Sequence, residues 1–217
     1  MNVKLISYSQ PPAGSELSDD LLQMVAYCAR VSNPGNQINE ATSEKLVKYL
    51  IKHQHWSPLE MVSACLEIDT TRDIGRQLLR HRSFSFQEFS QRYADPTKDM
   101  SFIRRGARLQ DPKNRQNSID AAPQVVQDLW DIKQQEVINK AREVYEWAIK
   151  EGIAKEQARS VLPEGNTMSR LYVNGTLRSW IHYIQLRAAN GTQQEHMDIA
   201  KAVGKVIYDI FPLDDII

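Results

Sequence analysis

Two cysteines, Cys28 and Cys65, are all that 217 residues contain. That scarcity argues against a disulfide framework and points to a reducing, cytoplasmic setting. No apolar run approaches the roughly 18 residues that a membrane-spanning helix needs, so none is expected. Net charge is missing as well: 27 Lys and Arg balance 27 Asp and Glu, which speaks against a surface built to coat a polyanion. There is no Gly-x-Gly-x-x-Gly and no Walker-type loop, so neither a Rossmann nor a P-loop nucleotide site is indicated. No segment repeats and none is low in complexity. The opening, Met1 to Tyr8, alternates as a first β-strand would and turns polar too soon for a secretory signal.

What is present is an ordinary globular composition, 41% hydrophobic and 25% charged, long enough to bury a substantial core as one domain over residues 1–217. The charge is uneven. Arg72 to Arg115 hold 11 Lys and Arg against 5 Asp and Glu, the pattern of a local anion site in a neutral protein. Within that stretch runs Arg80-His81-Arg82-Ser83-Phe84-Ser85-Phe86-Gln87-Glu88-Phe89-Ser90-Gln91-Arg92. Guanidinium forks grip phosphates and carboxylates in a planar, bidentate way. Three of them, with a histidine, hydroxyls and a carboxylate, suit an anionic small molecule.

Helical spacing covers residues 16–32, opened by Ser15 as N-cap, and residues 42–52. Residues 60–68 read as a strand. Thr70 and Asp73 make a capping-box start for a helix over 70–82. On that helix Gln77 and Arg80 lie at i, i+3 and address one ligand, while His81 and Arg82 diverge by about 100° per residue and reach another. Residues 94–123 read as a long irregular segment, whose arginine-rich loop from Arg104 to Ser118 has a lid as one role. Helices are expected at 124–151, in a short piece ending at Arg159, and at 174–188 and 193–210. Sparse strands among these helices predict an α+β fold with a small twisted, mainly antiparallel sheet flanked by helices.

Three further clusters carry chemistry. His53-Gln54-His55-Trp56-Ser57-Pro58-Leu59-Glu60 offers imidazoles and a carboxylate, but no additional Cys or His pair stands at ligand spacing, so hydrogen bonding is favoured over metal and no metal is expected. Ala158-Arg159-Ser160-Val161-Leu162-Pro163 supplies another arginine. In the last cluster Arg178, His182 and Gln185 share one helix face, with Trp180, Tyr183 and Arg187 nearly opposite. Two opposed polar faces suit contacts with two sites, in different subunits. Neither cysteine adjoins the basic cluster and Ser90 lacks a neighbouring base, so nucleophilic catalysis is not indicated.

Together these residues resemble the flavin-dependent thymidylate synthases. That family's signature is Arg-His-Arg, seven residues, then Ser, here Arg80-His81-Arg82 and Ser90. The resemblance extends through His55, Ser57, Pro58 and Glu60, through Gln77, Glu88 and Arg92, and through Arg159, Leu162, Pro163 and Arg187. It implies an enzyme that methylates dUMP to dTMP with 5,10-methylenetetrahydrofolate as carbon donor and NADPH as reductant, through bound FAD and without a cysteine nucleophile. It also implies a homotetramer whose sites are shared between subunits. By the same resemblance Arg187 is the catalytic residue, contacting the pyrimidine and favouring its ionised form. Side chains of Gln77, Arg80, Glu88, Ser90, Arg92 and Arg159 would line the dUMP site, with backbone contacts from Leu78, Leu79, Phe89 and Gln91. FAD would be held by Ser57, Arg80, His81, Arg82 and Glu88, and by Thr176 and His182, with His55 near the folate. Two positions depart from the family: Gly191 replaces a histidine near the flavin adenine, and Gln87 stands where others carry Asn.

The competing reading is a single-stranded nucleic-acid binder. Phe84, Phe86, Phe89 and Tyr93 interleave with Arg80, Arg82 and Arg92 as a stacking platform with phosphate contacts would. Zero net charge and Glu88 inside the patch weigh against it, so neither nucleic acid nor a membrane is expected as a partner.

Overall fold

Alternating side chains build the sheet of the computed structural model, which describes residues 1–213. On β2 (Ser63–Thr71) Ala64, Leu66 and Ile68 are buried, while Cys65, Glu67 and Asp69 between them are half-exposed. That period of two marks a sheet with one covered face. β2 pairs antiparallel with β1 (Asn2–Tyr8) on one side and with β6 (Met168–Thr176) on the other. β6 pairs antiparallel with β3 (Ser85–Glu88), giving the order β1-β2-β6-β3. Register sets Leu66 opposite Val173 and Ile68 opposite Leu171 on the covered face. On the open face Asp69 faces Arg170, whose guanidinium closes on both carboxylate oxygens at 2.7 and 2.8 Å.

Five helices complete the core: α1 (Leu21–Ala29), α2 (Ser43–Lys52), α3 (Arg72–Leu78), α7 (Leu177–Arg187) and α8 (Gln194–Ile210). Leu21, Val47, Ile74, Trp180, Ile181 and Ile207 have no exposed surface, and each such side chain contributes about 1.5–3 kcal/mol of burial. α5 (Gln124–Lys150) is 27 residues, about 40 Å at the helical rise. Its second half packs Tyr145 and Ala148 on Ala158 and Leu162 in a smaller cluster beside α6 (Lys155–Ala158).

The mixed helix and antiparallel-sheet architecture is as expected, but several boundaries differ. The strand expected at 60–68 occupies 63–71, and the helix expected at 70–82 shrinks to 72–78. Thr70 and Thr71 continue the β2 ladder opposite Ser169 and Met168, so long-range pairing wins over the local capping box. The Thr71 hydroxyl instead donates to Asp73 Oδ1 at 2.6 Å. The helix expected at 174–188 begins at Leu177, because residues 168–176 form β6. The first helix is shorter than 16–32 and is capped by Asp20, whose carboxylate accepts the Leu22 amide at 2.7 Å.

Residues 94–123 contain more order than expected: α4 (Pro96–Asp99) and a hairpin of β4 (Leu109–Gln110) with β5 (Ser118–Ile119). Two α5 glutamines strap this segment down. Gln134 accepts the Arg105 amide and donates to the Arg105 carbonyl, both at 2.8 Å. Gln127 does the same to Ala107, again at 2.8 Å each way. Each carboxamide thus stands in for a neighbouring strand.

Candidate active site

α3 delivers Gln77 and Leu78 to the edge of the core, and the chain then turns. Leu79 donates its amide to Gly75 O and His81 to Leu78 O, both at 3.0 Å, before the chain enters β3. Arg80 therefore lies beyond the helix and not at an i, i+3 position within it. Phe84 seats the turn. Its ring lies 4.5 Å from that of Trp180 and directly over Gly175. A Cβ at residue 175 would come within 2.3 Å of that ring, so only glycine admits the approach. Phe84 and Phe86 both pack against the core, which removes half of the stacking platform that a nucleic-acid binder would need.

The turn brings His81 to the end of α7. Arg187 Nε donates to His81 Nε2 at 2.9 Å. An arginine nitrogen can only donate, so this imidazole nitrogen carries no proton. Burial, with Arg187 and Arg80 close by, holds the His81 pKa below its ordinary value, in keeping with a neutral ring. The Tyr183 ring lies edge-on to His81 at 5.1 Å. Gln77 faces α8, donating to Gln193 Oε1 at 2.8 Å and meeting His196 Nδ1 at 3.1 Å. Arg80 and Arg82 are exposed, and their guanidinium groups have no hydrogen-bond or ion-pair partner among the described residues.

Glu88 ends β3 on the core side. Its Oε1 accepts from Ser169 Oγ at 2.9 Å and from Arg72 Nη1 at 3.2 Å, and Arg76 lies 3.8 Å from Oε2. Arg72 is buried and also reaches Glu164 at 3.2 Å. The four charges alternate in sign, so burial of Arg72 is compensated. Beyond Glu88 the chain turns again over Phe89 to Arg92, bordering a cleft of about 390 Å³ lined by Glu88, Phe89, Ser90, Tyr93, Arg170 and Tyr172 with Gln87. The Phe89 amide is engaged by Arg170 O at 2.8 Å, and Gln91 is buried with its Nε2 unpartnered. Arg92 and Arg159 meet through Glu156, Arg92 at 3.4 Å from its carboxylate and Arg159 Nε donating to its carbonyl at 3.3 Å.

A third group gathers at the start of α7. Thr176 caps that helix, its hydroxyl accepting the Ser179 amide at 3.3 Å. His182 meets Trp56 edge-on at 4.3 Å, and Arg178 pairs with Glu60. Ser57 opens the short 3-10 turn Ser57–Glu60, and His55 is exposed just before it. Burial and Arg178 hold the His182 pKa low. The expected residues thus fall into three groups within one chain: Gln77, His81 and Arg187; Ser90, Arg92 and Arg159; and Ser57, Thr176 and His182.

The sequence matches the family described as thymidylate synthase complementing protein over residues 16–213. A protein of Paramecium bursaria Chlorella virus 1, described as a probable flavin-dependent thymidylate synthase, is 47% identical over 98% of this chain and 96% of its own length. The flavin-dependent thymidylate synthase of Synechocystis is 46% identical over the same shares of the two chains. The chain belongs to the flavin-dependent thymidylate synthase family. The fold agrees: the UMP/dUMP methylase PolB of Streptomyces cacaoi, bound with 5-Br dUMP, superposes with a TM-score of 0.79 at 25% identity, covering 97% of this chain and 91% of that one.

Residues that the sequence did not single out hold the expected ones in place. Arg72 and Ser169 hold Glu88, and Gly175 admits Phe84. At the α8 start Gln193 and His196 contact Gln77, Gln193 in turn donates to Glu195, and Arg108 of the strapped segment reaches Glu195 at 2.6 Å. The signal available for these was the cluster Gln193-x-Glu195-His196 after the Gly191 turn, where Gly191 has φ +92°.

Proposed function

We propose that this enzyme converts dUMP to dTMP by reductive methylation, with 5,10-methylenetetrahydrofolate as carbon donor and NADPH as reductant through bound FAD. The observation that carries the reading is Arg187. Its Nε is fixed by a neutral His81, and its terminal nitrogens have no partner among the described residues. Carbon–carbon bond formation at the uracil ring requires negative charge to develop there. A pre-oriented guanidinium with both ends free is suited to stabilise it.

FAD supplies the hydride chemistry when bound. The residues fit its charged portion: Arg80 and Arg82 are exposed, unpaired forks on one turn, the donors a pyrophosphate takes. Ser57, Thr176, His182, His81 and Glu88 complete that reading, and His55 stands toward the folate. For the dUMP phosphate, Ser90, Arg92 and Arg159 are the candidates. The exposed Arg92–Glu156 pair is worth about 0–1 kcal/mol, so a dianionic phosphate displaces it readily.

A homotetramer with shared sites is part of the same proposal. The His81 turn and the Ser90 turn lie at opposite ends of β3, about 13 Å of strand apart. α5 also exposes Val125, Leu129 and Ile132 along one line, an apolar stripe suited to a second copy. A thiol nucleophile is disfavoured, since burial pushes the Cys28 and Cys65 pKa values up, away from thiolate.

The test is direct. Purified protein should absorb near about 450 nm as a flavoprotein and form dTMP only with dUMP, methylenetetrahydrofolate and NADPH together. Arg187→Ala should lose dTMP formation while keeping its flavin, and the Cys28→Ala/Cys65→Ala variant should stay active. Near-normal turnover by Arg187→Ala would overturn the assignment.

A further inference from the structure

A chain of hydrogen bonds runs from the strapped segment into the nucleotide site. Arg108 Nη2 binds Glu195 Oε1 at 2.6 Å, Gln193 Nε2 donates to Glu195 Oε2 at 3.0 Å, and Gln77 Nε2 donates to Gln193 Oε1 at 2.8 Å. The chain ends at His196 Nδ1, 3.1 Å from Gln77 Oε1. Glu195 and His196 are both buried.

Chemistry gives this chain only one direction. An ionised carboxylate has no hydrogen to offer, so Gln193 must turn its NH₂ to Glu195. Its carbonyl then faces Gln77, which must answer with NH₂. The Gln77 carbonyl is left for His196, whose Nδ1 must carry the proton. His196 Nε2 is consequently bare, and it is buried without a partner. Glu195 stays ionised: burial alone would raise its pKa, but the hydrogen bonds from Arg108 and Gln193 bring it below the ordinary value. His196 stays neutral, pushed down to about 4 by burial and then by Arg187 and His81.

We infer that Arg108 and Glu195 are positioning residues that lock the carboxamide of Gln77 in one of its two orientations, so that it shows the nucleotide a fixed donor and acceptor. The inference rests on the reading that Gln77 touches dUMP. An unlocked glutamine presents both patterns, and the wrong one sets lone pair against lone pair in a low-dielectric site. The segment carrying Arg108 lies far from Gln77 in sequence, yet it fixes the polarity of that amide through a buried charge.

The experiment measures dUMP affinity on FAD-loaded protein by calorimetry for Glu195→Gln, Arg108→Ala, Gln77→Ala and the double variant Gln77→Ala/Glu195→Gln. Glu195→Gln keeps the shape and removes the charge, so dUMP Kd should rise roughly tenfold, the effect of one misdirected hydrogen bond. Arg108→Ala should do the same and Arg108→Lys should restore most of it. kcat at saturating dUMP should change far less than KM. In the Gln77→Ala background, Glu195→Gln should add nothing. If Gln77→Ala weakens dUMP but neither Glu195→Gln nor Arg108→Ala does, the locking inference is wrong. An additive double variant would also overturn it. If Gln77→Ala leaves dUMP affinity unchanged, the reading of Gln77 as a nucleotide ligand is what fails. Should Glu195→Gln not fold, Arg108→Ala and Arg108→Lys decide the matter at the other end of the chain.

Discussion

Arg187 and His81 are joined through the one nitrogen of each that leaves the rest of the guanidinium free: Nε donates to Nε2 at 2.9 Å. The bond exists only while His81 is neutral. Burial, Arg187 and Arg80 all lower its pKa from 6.5, so the contact is intact at pH 7 and above. It is lost as pH falls below 6.5 through the depressed folded value. The rate of dTMP formation should show an acid limb in that range. His81→Gln, whose carboxamide oxygen can take the place of Nε2 as acceptor but does not titrate, should move the limb to lower pH. A limb unmoved in that variant would assign the titration to another group.

Gly175→Ala should destabilise the fold without touching any charged residue. The added methyl would meet the Phe84 ring at 2.3 Å, and the Phe84 ring already lies 4.5 Å from that of Trp180. Overpacking of this kind costs about 1–3 kcal/mol, readable as a lower urea midpoint at unchanged slope. The turn that carries Arg80 to Arg82 rests on the same ring, so flavin retention should fall together with stability.

Acid should weaken the protein through His196. A histidine whose pKa is 6.5 when unfolded and about 4 when folded is favoured by the fold only in its neutral form. Its contribution is complete above pH 6.5 and declines as pH drops from there to about 4. Urea unfolding at pH 7 and pH 4.5 should show the loss. His196→Asn, whose Nδ2 can take the place of Nδ1 and still donate to Gln77 but cannot titrate, should show a shallower decline over the same interval.

Removal of the glutamine straps should expose the segment they hold. Gln127→Ala/Gln134→Ala deletes four hydrogen bonds of 2.8 Å to the backbone of Arg105 and Ala107. At about 1 kcal/mol net for each bond, local opening should rise at least tenfold. Limited trypsin digestion should then cut at Arg104, Arg105 or Arg108 far sooner than in the parent protein. Equal digestion rates would show that the hairpin and the Arg105–Asp73 pair, at 2.7 Å, hold the segment alone.

Composition and periodicity carried the fold class, and the basic stretch pointed to the candidate site, because both are properties of neighbouring residues. The errors fell where a distant strand intervenes. Thr70 and Asp73 read locally as a helix start, but Met168 and Ser169, almost a hundred residues away, draw Thr70 and Thr71 into the sheet. Asn174 and Gly175 read as the start of a helix over 174–188, yet both lie within β6, where Gly175 leaves room for Phe84. Arg108 lay in a segment without periodicity, and only the folded chain shows that its partner is Glu195.

The seven residues between Arg82 and Ser90 include all of β3, whose side chains alternate between Phe86 and Glu88 on the core side and Ser85 and Gln87 on the open side. Length here is therefore under tighter constraint than identity. One residue inserted or removed would turn Glu88 away from Arg72 and Phe86 out of the core in a single step, whereas Gln87 opposite Tyr172 tolerates exchange. Variation in this stretch should be by substitution, with gaps excluded.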